Sequence, residues 1–370
     1  MSGARSLLIT GCTGMAGREL TRHLLTRTNV SLTLLVHDTG KALSRARLLR
    51  ELFRVVPTPP LIGRVRLVRG DLTKERLGLP GSIHAELASS VDGIIHAAAT
   101  TRFDLPLAEA RRVNVLATEH LVRFARHCRN LTRFGMLSTV FVSGRRRGRI
   151  LESERVHNVG FVNTYEQSKY EAEARLETSG VPYVIYRLST LVGDSRTGFT
   201  SHFTTPHQAL RVMHLGLASL VPGLADCSVD LIPTDWAAVT IVNHFLNPSP
   251  AGQVIHLVAG ATRSYSLAQV IDESYARLGE FDPAWKARHY PKPVIATQAA
   301  FQLLVRSAEQ ARDPLMIGVL GMLKYFTEQF SYPKDFETTS LNGAEPPPDI
   351  RDYYGRVVAY CLKTRWGRRA

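Results

Sequence analysis

Tyr165-Glu166-Gln167-Ser168-Lys169 sets a phenol and an ammonium at positions i and i+4. On a helix these share one face, so the ammonium can reach the phenol or a sugar hydroxyl bound beside it. A free tyrosine titrates near pH ~10, and a nearby cation favours its phenolate form. The pair is suited to moving a proton near neutral pH, although the spacing also falls on ordinary exposed helices. Upstream, Leu137-Ser138-Thr139-Val140 ends a predicted strand. A hydroxyl there can share a carbonyl oxygen with the tyrosine, or it can satisfy the strand-end backbone.

A second constellation opens the chain. Thr10-Gly11-Cys12-Thr13-Gly14-Met15-Ala16-Gly17 follows an apolar strand and starts a helix. Gly11 permits a tight turn, Gly14 lets backbone approach a pyrophosphate, and Gly17 lets helix and strand pack closely. The helix N-terminus then faces the negative phosphates. With strand before and helix after, this reads as a dinucleotide-binding turn.

The elements that carry these residues alternate. Strands are predicted at 6–10, 31–36, 64–68, 93–96, 134–138 and 183–187, and helices at 15–26, 43–53, 107–126 and 165–178. Strand and helix in turn imply an α/β, doubly wound parallel-sheet Rossmann fold, with ligands beyond the carboxyl ends of the strands. Residues 1–190 are expected to form this dinucleotide-binding domain, with about 228–260 returning to it. Residues 191–370 are expected to form mainly a smaller, mostly helical substrate-binding cap.

Composition bounds the rest. The chain has 370 residues, 44% hydrophobic and 21% charged, which excludes extensive disorder. Lys and Arg number 46 against 32 Asp and Glu, a net charge of +14, so a polyanionic partner is expected. No nucleic-acid module accompanies that charge, and nucleic acid is not expected as a partner. Cys12, Cys128, Cys227 and Cys361 form no CxxC pair. His84, His96, His202, His207 and His214 show no ligand spacing, so no metal is expected. No signal peptide or membrane-spanning run is read, and the expected location is cytoplasmic.

Taken in order, the glycine turn, the Ser/Thr strand end and Tyr165 with Lys169 resemble the extended short-chain dehydrogenase/reductase superfamily over about residues 5–260. The resemblance selects Thr139, five positions before Gly144, as the active hydroxyl. It implies Thr139, Tyr165 and Lys169 as catalytic residues. It also implies cofactor contacts from Thr10, Gly11, Thr13, Gly14, Met15 and Gly17, from Asp71 and Leu72, from Ala97 and Ala98, and from Asn114, Lys169, Arg187 and Ser189. A narrower similarity lies in Asp71-Leu72-Thr73, Asn163-Thr164-Tyr165, Arg187-Leu188-Ser189 and, above all, Val192-Gly193-Asp194-Ser195-Arg196-Thr197-Gly198. These resemble the thioester reductase and fatty acyl-CoA reductase branch.

That branch implies an NADPH-dependent reductase of an acyl-CoA or of an acyl chain on a carrier protein. The product would be an aldehyde, and an alcohol after a second hydride. The branch commonly places an Arg after the second strand, where this chain has His37 and Asp38. An acid there suits the ribose hydroxyl of NAD. Arg45 and Arg47, in the next helix, offer an alternative contact for the 2′-phosphate of NADPH. Arg145, Arg146, Arg147 and Arg149, beyond the Thr139 strand, are candidate contacts to coenzyme A or carrier phosphates, as is Arg196. Phe301, Leu303, Leu304, Met316, Leu320, Met322, Leu323, Tyr325 and Phe326 suit the core of the cap, an acyl tunnel or shallow membrane contact. A ketone or hydroxysteroid dehydrogenase, a sugar-nucleotide epimerase and a non-catalytic dinucleotide-binding protein are the competing readings.

Overall fold

The computed structural model describes residues 5–37, 45–56, 58–155, 158–247, 250–341 and 343–367. Seven strands build its central sheet: β1 Ser6–Thr10, β2 Ser31–His37, β3 Val65–Gly70, β4 Gly93–His96, β5 Arg133–Thr139, β6 Tyr183–Leu188 and β7 Gln253–Leu257. Their order is β7-β6-β5-β4-β1-β2-β3, and every neighbouring pair is parallel. Such strands are buried on both faces, and hence read as short apolar runs rather than alternating ones. Leu7 and Ile9 enter one core with Leu20, Leu24, Ile241 and Phe245. Leu8 enters the other with Phe124, Phe134 and Leu176. Helix α1, Met15–Arg27, packs beside Thr234–Leu246 on the first face. Helices α2, Ala117–His127, and α3, Thr164–Glu177, pack together and cover the second.

The order reverses beside β1: β2 and β3 lie to one side, β4 to the other. A crevice opens at this point beyond the strand ends. The glycine turn after β1, the Ala97–Ala99 segment after β4 and Thr139 at the end of β5 all reach it.

A separate apolar core lies in the C-terminal half, with Leu210, Leu231, Ile271, Phe301, Leu320, Leu323, Tyr353 and Val358 among its buried residues. Of the apolar residues singled out at 296–330, Phe301, Leu320 and Leu323 pack there, Leu304 and Met316 lie at its edge, and Leu303 is exposed. The side chains of Met322, Tyr325 and Phe326 lie outside the described residues. The longer helices that were not anticipated lie at Gly81–Ser90, Leu267–Phe281 and Ile350–Lys363. The last has a readable start, because Asp349 of the Pro-rich loop caps it by accepting from the Arg351 amide. Strand Lys334–Phe336 pairs in parallel with Gly148–Ile150. Among the described residues no helix is long and apolar enough to cross a membrane.

Candidate active site

The glycine turn shows what each glycine is for. Gly11 has φ +69°, and a Cβ there would lie 2.4 Å from the Ala97 carbonyl carbon. A Cβ on Gly17 would lie 2.2 Å from the Gly11 oxygen. Gly14 is different: its nearest neighbour would be the Gly11 oxygen at 3.4 Å. It caps α1 with no side-chain hydrogen bond, and with Met15, Ala16 and Gly17 of the first turn it lines the crevice. This is a cradle that a pyrophosphate fits. On one side of it Gly11, Thr13, His37, Asp71, Leu72, Ala97 and Ala98 line a groove suited to an adenosine half. Arg112 lines the same groove and was not anticipated; in the run RRVNVLAT nothing distinguishes it from its exposed neighbours.

On the other side is a cleft of about 480 Å³ lined by Met15, Gly17, Phe103, Thr139, Tyr165, Lys169 and Ser189. Asn163 caps α3 by accepting from the Glu166 amide at 3.0 Å, so the helix begins just before Tyr165 and presents it to the cleft. Tyr165 is half-buried against the Phe103 ring and lines the same cleft as Thr139. Thr139 also accepts from the Phe141 amide at 3.2 Å. Ser138 is buried, with no hydrogen-bond partner for its hydroxyl among the described residues.

Lys169 is 2% exposed, and its Nζ donates to the Leu137 carbonyl oxygen at 2.8 Å. Burial pulls its pKa down to about 8, opposed by Glu173. The expected lowering of the Tyr165 pKa is not what the fold gives. Burial raises it, the Thr139 hydrogen bond opposes this, and the Glu166 and Glu173 carboxylates raise it further. The phenol is therefore kept protonated, the state a proton donor requires. His96, buried and bonded to Thr10 and Thr118, is pulled down to about 3 by burial and by the Lys169 charge, and stays neutral.

Several anticipated contacts sit elsewhere. Arg187 does not line the crevice; it is buried in an ion pair with Glu173 at 2.8 Å, because α3 lies directly against β6. Thr10 and Asn114 support the site from behind. Thr10 Oγ1 accepts from the Ala98 amide, while Asn114 accepts from the Thr100 amide and donates to Ser168 on α3. Arg45 donates to the Val65 carbonyl at the start of β3, the sheet edge opposite the crevice. Asp38 and the Arg47 side chain lie outside the described residues.

The arginine loop is not an open cluster of four cations. Arg145 pairs with Glu328, Arg146 with Glu154 and Arg149 with Asp335, while Arg147 lies 5.5 Å from the Tyr332 ring centroid. Arg196 is 73% exposed, 3.8 Å from Asp194. Two residues that wall the cleft gave no signal in advance: Glu166, which reads as ordinary helix-capping sequence, and Gln329, far away in the chain.

Known proteins agree with this architecture. The profile of the family described as Male sterility protein matches residues 9–241. The isonitrile lipopeptide synthase of Streptomyces coeruleorubidus is 29% identical over 252 residues, covering 66% of this chain and 17% of that protein. The Drosophila melanogaster fatty acyl-CoA reductase wat is 23% identical over 268 residues, covering 62% of this chain and 52% of that one. The chain thus spans only part of these relatives. The crystal structure of the terminal R domain from the myxalamid PKS-NRPS biosynthetic pathway superposes with a TM-score of 0.79 at 24% identity, covering 99% of this chain and 92% of that one. Matched over more than half its length, and carrying a dinucleotide cradle beside a Thr, Tyr and Lys cleft, the chain belongs to the Male sterility protein family of NAD(P)-binding oxidoreductases.

Proposed function

We propose that the chain is an NADPH-dependent reductase that converts an acyl thioester, on coenzyme A or on a carrier protein, to an aldehyde. The observation that carries this reading is the convergence of Thr139, Tyr165 and Lys169 on one cleft, next to the glycine cradle. When bound, NADPH supplies the hydride for the thioester carbon. Thr139 and Tyr165 hold the carbonyl oxygen, and Tyr165 gives it the phenolic proton. Breaking the carbon–sulfur bond of the resulting hemithioacetal returns a proton to sulfur, leaving aldehyde and free thiol. Lys169, fixed by Leu137, holds a positive charge beneath this site up to about pH 8. The choice of NADPH is supported by Arg112 and His37, two basic side chains in the adenosine groove. The relatives support a thioester substrate, since one is named a fatty acyl-CoA reductase and another a lipopeptide synthase.

The test follows absorbance at 340 nm with NADPH or NADH, acyl-CoAs of rising length and acylated carrier protein, while free thiol is titrated in parallel. Cofactor oxidation matched by thiol release supports the reading. One cofactor per thiol gives aldehyde, and two give alcohol. Oxidation with a ketone and no thiol release with any thioester sinks it.

A further inference from the structure

The cap sends one segment, residues 328–336, back onto the sheet domain, and a dense set of contacts holds it there. Its strand Lys334–Phe336 pairs with Gly148–Ile150, and the Gly148 amide donates to the Pro333 carbonyl at 2.9 Å. Arg145, Arg147 and Arg149 engage Glu328, Tyr332 and Asp335 in turn. Exposed ion pairs of this kind contribute little singly. The buried contact is at Gln329, 7% exposed. Its amide nitrogen donates to Glu166 Oε1, and its amide oxygen accepts from Lys334 Nζ at 2.7 Å. With a donor required on one side and an acceptor on the other, the amide has one orientation.

Glu166 is 1% exposed and directly follows Tyr165. Besides Gln329, its carboxylate accepts from the Val162 amide and the Asn163 side chain, both at 3.0 Å. It therefore ties the first turn of α3, the loop before it and the cap segment into one network. Gln329 and Glu166 also wall the catalytic cleft.

We propose that Glu166 and Gln329 are positioning residues for Tyr165: through them the 328–336 segment clamps the first turn of α3, so that turnover requires this segment to be docked. The inference rests on the reading of Tyr165 as the proton donor.

The electrostatics agree. Burial pushes Glu166 up to about 7, the Val162 amide, Gln329 and Lys334 pull it back, and Glu328 opposes them. Lys334 is lowered to about 8 by burial, with Glu166 and Cys227 opposing and Arg147 reinforcing. Glu173 joins Glu166 in raising the phenol of Tyr165. Burial, the largest cause, keeps Tyr165 a donor; Glu166 adds to it when ionised, so its loss shifts the phenol towards lower pH.

The test compares wild type with Glu166→Gln and Gln329→Leu. Two readouts are taken: kcat and KM across pH, and hydrogen exchange at 162–168 and 328–336. Both variants are expected to keep NADPH affinity within about twofold while kcat falls about tenfold or more, and Glu166→Gln moves the alkaline fall of kcat to lower pH. In Gln329→Leu, both segments should exchange faster together. Folded variants with wild-type kcat and pH profile overturn the proposal, as does faster exchange confined to 328–336. If Glu166→Gln does not fold, Gln329→Leu and Lys334→Met decide. Should wild type reduce no thioester, the substrate reading fails; exchange coupling, and kcat on whatever carbonyl compound is reduced, still judge the clamp.

Discussion

Lys169 Nζ donates to the carbonyl oxygen of Leu137 at 2.8 Å, and Thr139 stands two residues beyond that carbonyl. One bond therefore fixes α3 against the end of β5, and with it the Tyr165 phenol against the Thr139 hydroxyl. The buried Glu173–Arg187 pair ties the same helix to β6 as well.

Under the proposed mechanism, replacing Tyr165 by Phe removes the proton donor and one of two groups on the carbonyl oxygen. A fall in kcat of about 10²-fold or more is expected, since positioned acids contribute on that scale. NADPH binding, followed by fluorescence, should be unchanged. Thr139→Ala should lower kcat by about 10²-fold as well, the usual loss for one oxyanion donor. Full activity in Tyr165→Phe would remove the mechanism.

Gly14 and Gly17 separate cofactor binding from folding. Gly14→Ala leaves the turn intact, because its Cβ meets only the Gly11 oxygen at 3.4 Å, but places a methyl where phosphate would lie. NADPH affinity should drop about tenfold, or ~1.4 kcal/mol, with little change in Tm. Gly17→Ala drives its Cβ to 2.2 Å from the same oxygen and should lower Tm markedly. Calorimetry with and without NADPH distinguishes the two.

Breaking the buried ion pair of Arg187 and Glu173 should unfold the protein early rather than weaken cofactor binding alone. Both side chains are nearly inaccessible, at 3% and 0%. Arg187→Met strands a carboxylate and should cost about 3–5 kcal/mol in urea unfolding. A stable variant with selectively weakened NADPH binding would place Arg187 in the cofactor site after all.

The pH dependence of stability has opposite signs at His96 and Glu166. His96 is depressed to about 3, so the unfolded chain binds its proton first and stability falls as pH drops from about 6.5 towards 3. Glu166 is raised to about 7, so the folded state holds its proton longer, and that contribution fades as pH rises from 4.5 through 7. Glu166→Gln should flatten the second window and leave the first. Urea midpoints from pH 4 to 8 give both slopes.

The glycine turn and Tyr165 with Lys169 were legible in the sequence because each is one short segment, in which spacing alone sets the geometry. A helix brings i and i+4 to one face whatever it packs against, and a strand-to-helix turn demands glycines wherever backbones touch. Alternating elements likewise revealed the parallel sheet, since buried parallel strands are apolar throughout. Arg187 and the arginine loop were not legible. Their charge suggested an anion, but Glu173, Glu328 and Asp335 approach them only in the folded chain. The protonation states of Tyr165 and Lys169 were hidden because burial, which local spacing does not show, is the main cause that sets them. Gln329 lies 163 positions from Glu166, and no local pattern links them. The sequence by itself determined the cradle and the catalytic helix; tertiary structure decided which charges are already paired and what forms the wall beside Tyr165.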